Sequence, residues 1–455
     1  MHAVVLGCLQ LQGAAILCLL GAGWLLSYAV RRKELSLRRR KGVRHCTQQA
    51  DQTLPGVTVI LPVKGCRKHS VSNWASHVRL RYAGPVEFLF VVDSQDDPAH
   101  SHLIKLAAEL SSGGSAVRIV VAPAAKTCSQ KIANLQAGIE GASAEHQWVL
   151  CVDDDVLLYE AFLEDLIRSM QQRPSFFMAT GYPFDIPGRN ASIATYCCLA
   201  YHLPLSIAFA VREHTTFVWG GCMLLPLAAL RSDRYGILAA WNQGGYSDDL
   251  TVASKCAEHR LSILCPSYAV LPQWLDTSCS ARQFWNYQRR QLYVMDTYCN
   301  AHNKRLNHTM LALHCYLSWA FILALLLTGL DLISALMRSV IDTEDAASPH
   351  VSMRVSMPAQ VLLAAFAFAH LALWLLTGTV LQLFQGMPYQ HQLPTGTGHF
   401  SWTKLWLAFC FANAVLPFCA LYTWLQPKIQ WSGITYRKGR GCITAVEHPG
   451  SKNKF

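Results

Sequence analysis

Two apolar runs in the chain end in carboxylates. Val86–Val92 (VEFLFVV) leads straight into Asp93, with Asp96 and Asp97 close behind, and Gln147–Val152 leads into Asp153-Asp154-Asp155. At the carboxyl ends of parallel strands such side chains face the crevice where ligands bind. Three adjacent carboxylates repel one another unless a cation shares their charge. Alternate residues of an extended stretch face the same way, which sets Asp153 and Asp155 to hold one hard divalent ion. Mg²⁺ favours one or two carboxylates together with substrate phosphate oxygens. A solvated acidic turn or a helix N-cap is the other reading of the triple. Two acidic clusters at two strand ends favour the ion.

A third acidic element, Gly244-Gly245-Tyr246-Ser247-Asp248-Asp249, opens the amphipathic stretch Leu250–Ala257. Asp248 is expected to cap that helix, leaving Asp249 to accept a proton from a substrate hydroxyl. Further on, QFWNYQRRQL (Gln283–Leu292) sets Trp285 and other aromatics beside Arg289 and Arg290. Arginine suits a bidentate grasp of phosphate. The same segment also fits a juxtamembrane belt of aromatic and basic anchors.

The elements that must position these groups alternate in type. Leu54–Pro62, Val86–Val92, Val117–Val121 and Gln147–Val152 are short β-branched and aromatic runs, the pattern of buried strands. Ser70–Tyr82 and Gln130–Gly141 between them are helix-like. This predicts an α/β domain built on a doubly wound parallel sheet.

Composition places that domain at a membrane. Of 455 residues, 52% are apolar and only 15% charged, whereas soluble domains carry about 25% charge. The net charge is +11, and residues 31–44 (RRKELSLRRRKGVR) hold eight basic side chains against one acidic. That cluster abuts the uncharged run from Ala3 to Val30, so a membrane surface explains it and a nucleic-acid partner does not. The run is long enough to span a bilayer, and the cations behind it place the N-terminus in the lumen and the following domain in the cytosol. Three more uncharged runs, Leu306–Leu330, Met357–Phe384 and Leu405–Leu425, are each long enough to cross once. Three crossings would put the basic tail in the lumen, against its charge, so one of the four segments is expected to be re-entrant or interfacial. Ile193–Val211, uncharged and broken by Pro204, reads either as an interfacial lipid guide or as a core helix. None of the 17 cysteines forms a CxxC pair, which argues against zinc and against a disulfide framework. The expected organisation is an N-terminal transmembrane helix (1–30), a basic segment (31–44), a cytosolic catalytic domain (45–305), a membrane domain of about three helices (306–426) and a basic tail (427–455).

Taken in order, VVDSQDDPA, CSQKIANLQAGIE, LCVDDDV, WGGCM, GGYSDDLT and FWNYQRRQ resemble the ceramide glucosyltransferase family, most of all its plant and algal branch. The resemblance runs from the N-terminal helix to the WSGITY of the tail. It implies a GT-A-like (Rossmann-like) glycosyltransferase domain plus transmembrane helices. The implied reaction is inverting transfer of glucose from UDP-glucose to the primary hydroxyl of ceramide, with Mg²⁺ or Mn²⁺ as the divalent cation. The family's first acid falls at Asp93, with Asp96 and Asp97 beside it. The second falls at Asp153, paired with Asp155 as metal ligands, and the third, the general base, at Asp249. Lys131 and Asn134 match a pair that lines the nucleotide site, and His202 matches a histidine near the lipid pocket. Trp285 is expected at the substrate. The family's closing arginine–tryptophan dipeptide is missing, so Arg289 or Arg290 takes the arginine's place, with Arg289 slightly favoured. The implied partners are UDP-glucose, ceramide and the bilayer of the ER or Golgi; the oligomeric state stays open.

Two rivals share parts of this pattern. A transferase acting on a polyprenyl phosphate or a polysaccharide would keep the strand-end acids and change the acceptor. A non-catalytic membrane scaffold or channel would carry charges inside its helices, where only Asp331 comes near, at a helix end.

Overall fold

The computed structural model describes residues 2–42, 53–111, 116–344, 355–385 and 393–449. The last two positions of the basic segment, the start of the expected catalytic domain at 45–52 and the chain end from 450 lie outside the described residues. An N-terminal helix α1 (His2–Gly42) runs on through most of the basic segment, so that segment continues the helix instead of linking it to the next unit. It follows the domain surface, where Arg31 donates to the Ser267 and Phe209 carbonyls and Arg38 lies over Tyr159.

The strand–helix alternation follows as β1 (Val57–Pro62), α2 (Ser70–Val78), β2 (Val86–Val92), α3 (Pro98–Ser111), β3 (Ala116–Val121), α4 (Gln130–Gly141), β4 (Trp148–Val152) and α5 (Phe162–Gln171). Then come β5 (Phe176–Thr180), β6 (Tyr182–Ile186), α6 (Ile193–Leu205), β7 (His214–Thr215), β8 (Cys222–Pro226), α7 (Leu227–Arg231), α8 (Ile237–Asn242), α9 (Asp248–Glu258), β9 (Ser262–Leu264), β10 (Val270–Trp274) and α10 (Ala281–Met295). Eight strands form one sheet in the order β3-β2-β1-β4-β8-β5-β9-β7. The first four are parallel, as the sequence predicts. The sheet is nonetheless mixed, because β8 runs antiparallel between β4 and β5.

Strands β1, β2 and β4 are buried on both faces, which is why they read as unbroken apolar runs, whereas β3, at the sheet edge, is partly exposed. One face packs Ile132, Leu135 and Ile139 of α4 with Trp241 and Val252. The other packs Trp74, Leu103, Leu163 and Leu166. Each such side chain contributes about 1.5–3 kcal/mol by leaving water. Serine side chains start the helices that matter for the site. Ser129 caps α4, Ser247 caps α9, and Ser280 makes a capping box with Gln283 at α10.

Three long apolar helices follow: α11 (Ala301–Glu344), α12 (Met357–Phe384) and α13 (Trp402–Leu425). With α1 they make four helices long and apolar enough to cross a membrane. The chain ends in an antiparallel sheet of β11 (Lys428–Trp431), β12 (Ile434–Gly439) and β13 (Cys442–Glu447). Its first turn, Ser432-Gly433, has positive φ at both residues, the geometry that matches the twist of a two-residue hairpin. Ile429, Ile434, Tyr436 and Ile443 of this sheet share a small core with Tyr246 and Tyr293 of the α/β domain. The described part of the basic tail, up to residue 449, thus packs on that domain.

Candidate active site

The carboxyl ends of β1, β2 and β4 open on one side of the sheet, where the start of α4 and the start of α9 converge. After β1 comes Lys64, whose ammonium binds Asp93 at 2.6 Å and Asp97 at 3.1 Å. Asp97 also accepts the Gly65 and Ala99 amides at 2.8 and 2.9 Å, so it caps the start of α3 and is held away from any ligand. Asp96 is exposed at the rim.

After β4 the triplet splits. Asp154 turns back toward α2 and accepts from the Trp74 indole at 3.3 Å. Asp153 binds Lys131 at 2.7 Å, and Asp155 binds Arg67 at 3.3 Å. Burial pushes the Asp153 carboxyl up to about 6, against the pull of Lys131. Lys131 in turn reaches Asp248 at 3.2 Å and the Gly220 carbonyl at 3.2 Å. Burial opposes its charge, but Asp153 and Asp248 outweigh that and hold its pKa well above the usual lysine value. Asn134 lies one turn further along α4. Its amide donates to the Val91 carbonyl at 3.3 Å and accepts from Gln130 at 2.9 Å, so it ties α4 to β2 from inside the core.

At α9 the cap falls one residue earlier than the sequence suggests. Ser247 is the cap. Asp249 Oδ1 accepts from the Ser247 hydroxyl and from the Leu250 amide, and Oδ2 accepts from the Gly220 amide at 3.1 Å. Asp248 is the buried partner of Lys131. Asp249 stays half-buried, and Oδ2 keeps room for one more donor. Burial and then the charge of Asp248 raise its pKa above the ordinary carboxylate value. Gly220 must lack a side chain, because a Cβ there would come within 2.6 Å of the Asp248 carboxylate.

The arginine pair of α10 divides between two surroundings. Arg289 donates to the Lys428 carbonyl at 2.8 Å and stacks on Tyr422. Arg290 lies 4.8 Å from the ring centre of Trp431, and its charge is felt by Tyr246, in the loop leading to Asp249. Arg290 thus lies beside the loop that leads to Asp249, through Trp431 of the tail, while the slightly favoured Arg289 is turned to Lys428 and Tyr422. Trp285 packs on Tyr422 of α13 and turns from the carboxylates. His202 is held at both ring nitrogens, Nδ1 by Asp185 at 2.7 Å and Nε2 by the Tyr287 hydroxyl at 2.9 Å. Tyr182 and Trp219 bridge the space between this histidine and Gly220.

Lys64, Arg67, Asp185, Tyr287 and Trp431 were not singled out from the sequence. The first two obey the strand-end rule that marked Asp93 and Asp153, since β1 runs directly toward them. The other three depend on distant segments and leave no local signal.

Six carboxylates (Asp93, Asp97, Asp153, Asp155, Asp248 and Asp249) thus stand against three cations. Asp155 Oδ1 is buried without a hydrogen-bond partner. An orphaned carboxylate oxygen beside a negative excess fits a hard divalent cation held by Asp153 and Asp155. Among the described residues no group of three acidic, histidine or cysteine side chains forms a complete metal cage, so further ligands would come from water or a phosphate.

An α/β sheet with acids at its strand ends, joined to long apolar helices, is the frame of a membrane-associated glycosyltransferase. The assignment to a family rests on sequence: residues 20–303 match the model of Glycosyl transferase family 21, and the chain belongs to that family. Its sheet sets the antiparallel strand β8 beside the acidic strand β4. No curated protein matches the chain. Solved structures similar to it include a mannosyltransferase, PcManGT from Pyrobaculum calidifontis, in complex with GDP-Man and Mn²⁺, at 15% identity and TM-score 0.42 over 88% of this chain and 99% of that one. Another is GalNAc-T7 with UDP, GalNAc and Mn²⁺, at 11% identity and TM-score 0.34 over 52% and 48% of the two chains.

Proposed function

We propose that this enzyme transfers glucose from UDP-glucose to the primary hydroxyl of ceramide with inversion at the anomeric carbon, on the cytosolic face of the ER or Golgi. The observation that carries this reading is the convergence of Asp153, Asp155, Asp248 and Asp249 on one mouth of the sheet around Lys131. Family 21 contains ceramide glucosyltransferases, and the six motifs fall in register with that group.

The donor's uracil and ribose lie toward Asp93, and its diphosphate toward Asp153 and Asp155. Asp153 and Asp155 would hold a divalent cation, which would supply positive charge opposite the diphosphate. Asp249 Oδ2 takes the proton of the acceptor hydroxyl as that oxygen bonds to the anomeric carbon. The bond from this carbon to the diphosphate oxygen breaks, and UDP leaves with the electron pair. Arg290 faces the negative charge that grows on UDP, a preplaced-charge effect worth several kcal/mol in enzymes of many kinds. Lys131 keeps the neighbouring carboxylates from expelling the donor. Positioning of the acceptor falls to His202 and to the apolar surface of α6.

The test is to incubate membranes holding the full chain with labelled UDP-glucose and ceramide. Labelled glucosylceramide is expected from wild type and not from Asp249→Asn. Label found only in another lipid removes the acceptor assignment, and full activity in the variant removes the base.

A further inference from the structure

Helix α13 has the length and apolarity of a crossing segment, yet both of its ends rest on the α/β domain. At its start the Ser401 amide donates to the Tyr196 hydroxyl at 2.8 Å and Lys404 donates to the Ala191 carbonyl at 2.9 Å. Beyond its end the Tyr293 hydroxyl donates to the Pro427 carbonyl at 3.0 Å, and Arg289 holds the Lys428 carbonyl. In between, α6 and α10 support it along its length: Cys197 meets Ala408, Phe284 meets Phe411, Gln288 meets Ala412, and Trp285 meets Tyr422. The two supports are one folded unit, since Ser192 at the start of α6 donates to the Cys279 carbonyl just before α10 at 2.7 Å.

The tail sheet makes the same point independently. The Ile443 amide donates to the Gly244 carbonyl at 2.8 Å, the Gln130 amide to the Tyr436 hydroxyl at 3.2 Å, and the Tyr298 amide to the Gly441 carbonyl at 2.9 Å. Whatever side of the membrane holds the catalytic loops also holds the tail. Between residues 305 and 427 the chain must therefore cross an even number of times.

The other long helices supply that even number. α1 and α11 pair through Gln10 with Thr328 and through Gly13 against Ala324, and α12 begins where Gly7 meets Pro358 and the Ser356 amide meets Asp331. α12 then returns, passing Gly21 of α1 at Phe368, to end at Phe384 against Phe184 of the α/β domain. α1, α11 and α12 thus share a far end remote from the catalytic loops.

We propose that α13 does not cross the membrane but lies along the bilayer surface on the catalytic side, with α6 and α10 on its inner face, so that the chain crosses three times and its tail stays beside the active site. The partner of its outer face is the hydrocarbon–headgroup boundary of that leaflet. Leu407, Leu421, Trp424 and Leu425 are exposed there, as an in-plane helix needs to bury its apolar face some 5–10 Å into the boundary. This inference rests on the reading of α1 as a crossing helix with a luminal N-terminus, and not on which sugar or lipid is used.

Glycosylation acceptor sites placed one at a time in the full-length chain test it, read as an endoglycosidase-sensitive mass shift in cells. Acceptors fused before residue 1 or inserted within 345–354 are expected to be modified completely. Acceptors inserted within 386–392 or fused after residue 455 are expected to show no shift. Modification after 455 overturns the proposal, as does modification within 386–392 or its absence within 345–354. A further control excludes mere burial of the C-terminal acceptor. In sealed vesicles with the catalytic side outward, protease must remove a C-terminal tag and spare an N-terminal one; a protected C-terminal tag refutes the in-plane helix.

Discussion

The Arg290 guanidinium lies over the indole of Trp431, 4.8 Å from its centre, and so joins the last helix of the α/β domain to the first strand of the tail. Arg289, its neighbour in sequence, points instead at the Lys428 carbonyl and Tyr422. Only one of the two can therefore face a diphosphate. Arg290→Ala is expected to lower kcat by about 100-fold, as loss of one preplaced positive group does. Arg289→Ala should change kcat by less than about 3-fold, in line with an exposed contact. Trp431→Ala should fall between them, because it frees the guanidinium without removing it. Steady-state kinetics on the three purified variants decide the matter, and an equal loss in both arginine variants would contradict the division of roles.

Asp249 carries a pKa raised by burial and by the adjacent Asp248 charge. A raised carboxylic acid keeps its proton to higher pH, so the base form disappears earlier on acidification than for a free aspartate. The acidic limb of kcat/KM is then expected at higher pH than a free aspartate would give. Asp248→Asn removes the like charge, which lowers the pKa of Asp249 and moves the limb to lower pH. A pH–rate profile of wild type and variant measures the displacement. A limb that stays in place, or moves to higher pH, speaks against Asp249 as the titrating base.

Lys131 neutralises Asp153 and Asp248 together, with its own side chain mostly buried. Lys131→Met keeps the apolar stem and deletes the charge, leaving two carboxylates in a poorly solvated place. Breaking a buried pair in this way costs about 3–5 kcal/mol. The melting temperature in detergent should fall clearly, and added Mn²⁺ should recover more of the loss in the variant than it adds to wild type. Equal gains from Mn²⁺ in both proteins would show that the cation does not bind near Lys131.

The parts of this arrangement that were legible in sequence are local ones. Parallel strands buried on both faces leave runs such as VEFLFVV, and a carboxylate following the run marks the crevice; β2, β4, Asp93 and Asp153 were found on that basis. Asp154 was separable from its neighbours by the two-residue period of an extended chain. Only the cap of α9 is misplaced by the sequence reading, because Ser247, one residue earlier, is the better cap, and that leaves Asp248 to the lysine. Arg290 meets Trp431, and Tyr436 meets Gln130, only because the tail folds back across the domain. No period or spacing records such a return. Hydropathy reads the length of α13 but not its direction, so a helix lying along the surface and one passing through it look the same in sequence.

The Asp185–His202–Tyr287 chain gives the last prediction. A carboxylate only accepts hydrogen bonds, so Asp185 at 2.7 Å fixes the proton of a neutral His202 on Nδ1, and Nε2 is left to accept from the Tyr287 hydroxyl at 2.9 Å. Asp185 is buried and touches the site only through the histidine, which makes it a positioning residue. Asp185→Asn presents either an amide donor or a weaker acceptor to Nδ1, and the ring is then free to turn or to change tautomer. The expected result is a rise of about 10-fold in KM for the lipid acceptor, the size of effect that one lost charge-assisted hydrogen bond produces. KM for the nucleotide sugar, and its slow hydrolysis without acceptor, should stay within about 2-fold of wild type, because no donor-side group in the site leans on Asp185. Tyr287→Phe leaves the Asp185–His202 bond intact and should raise the acceptor KM less. Matched losses for donor and acceptor would mean that Asp185 only supports the fold, and that the histidine has no part in holding the lipid.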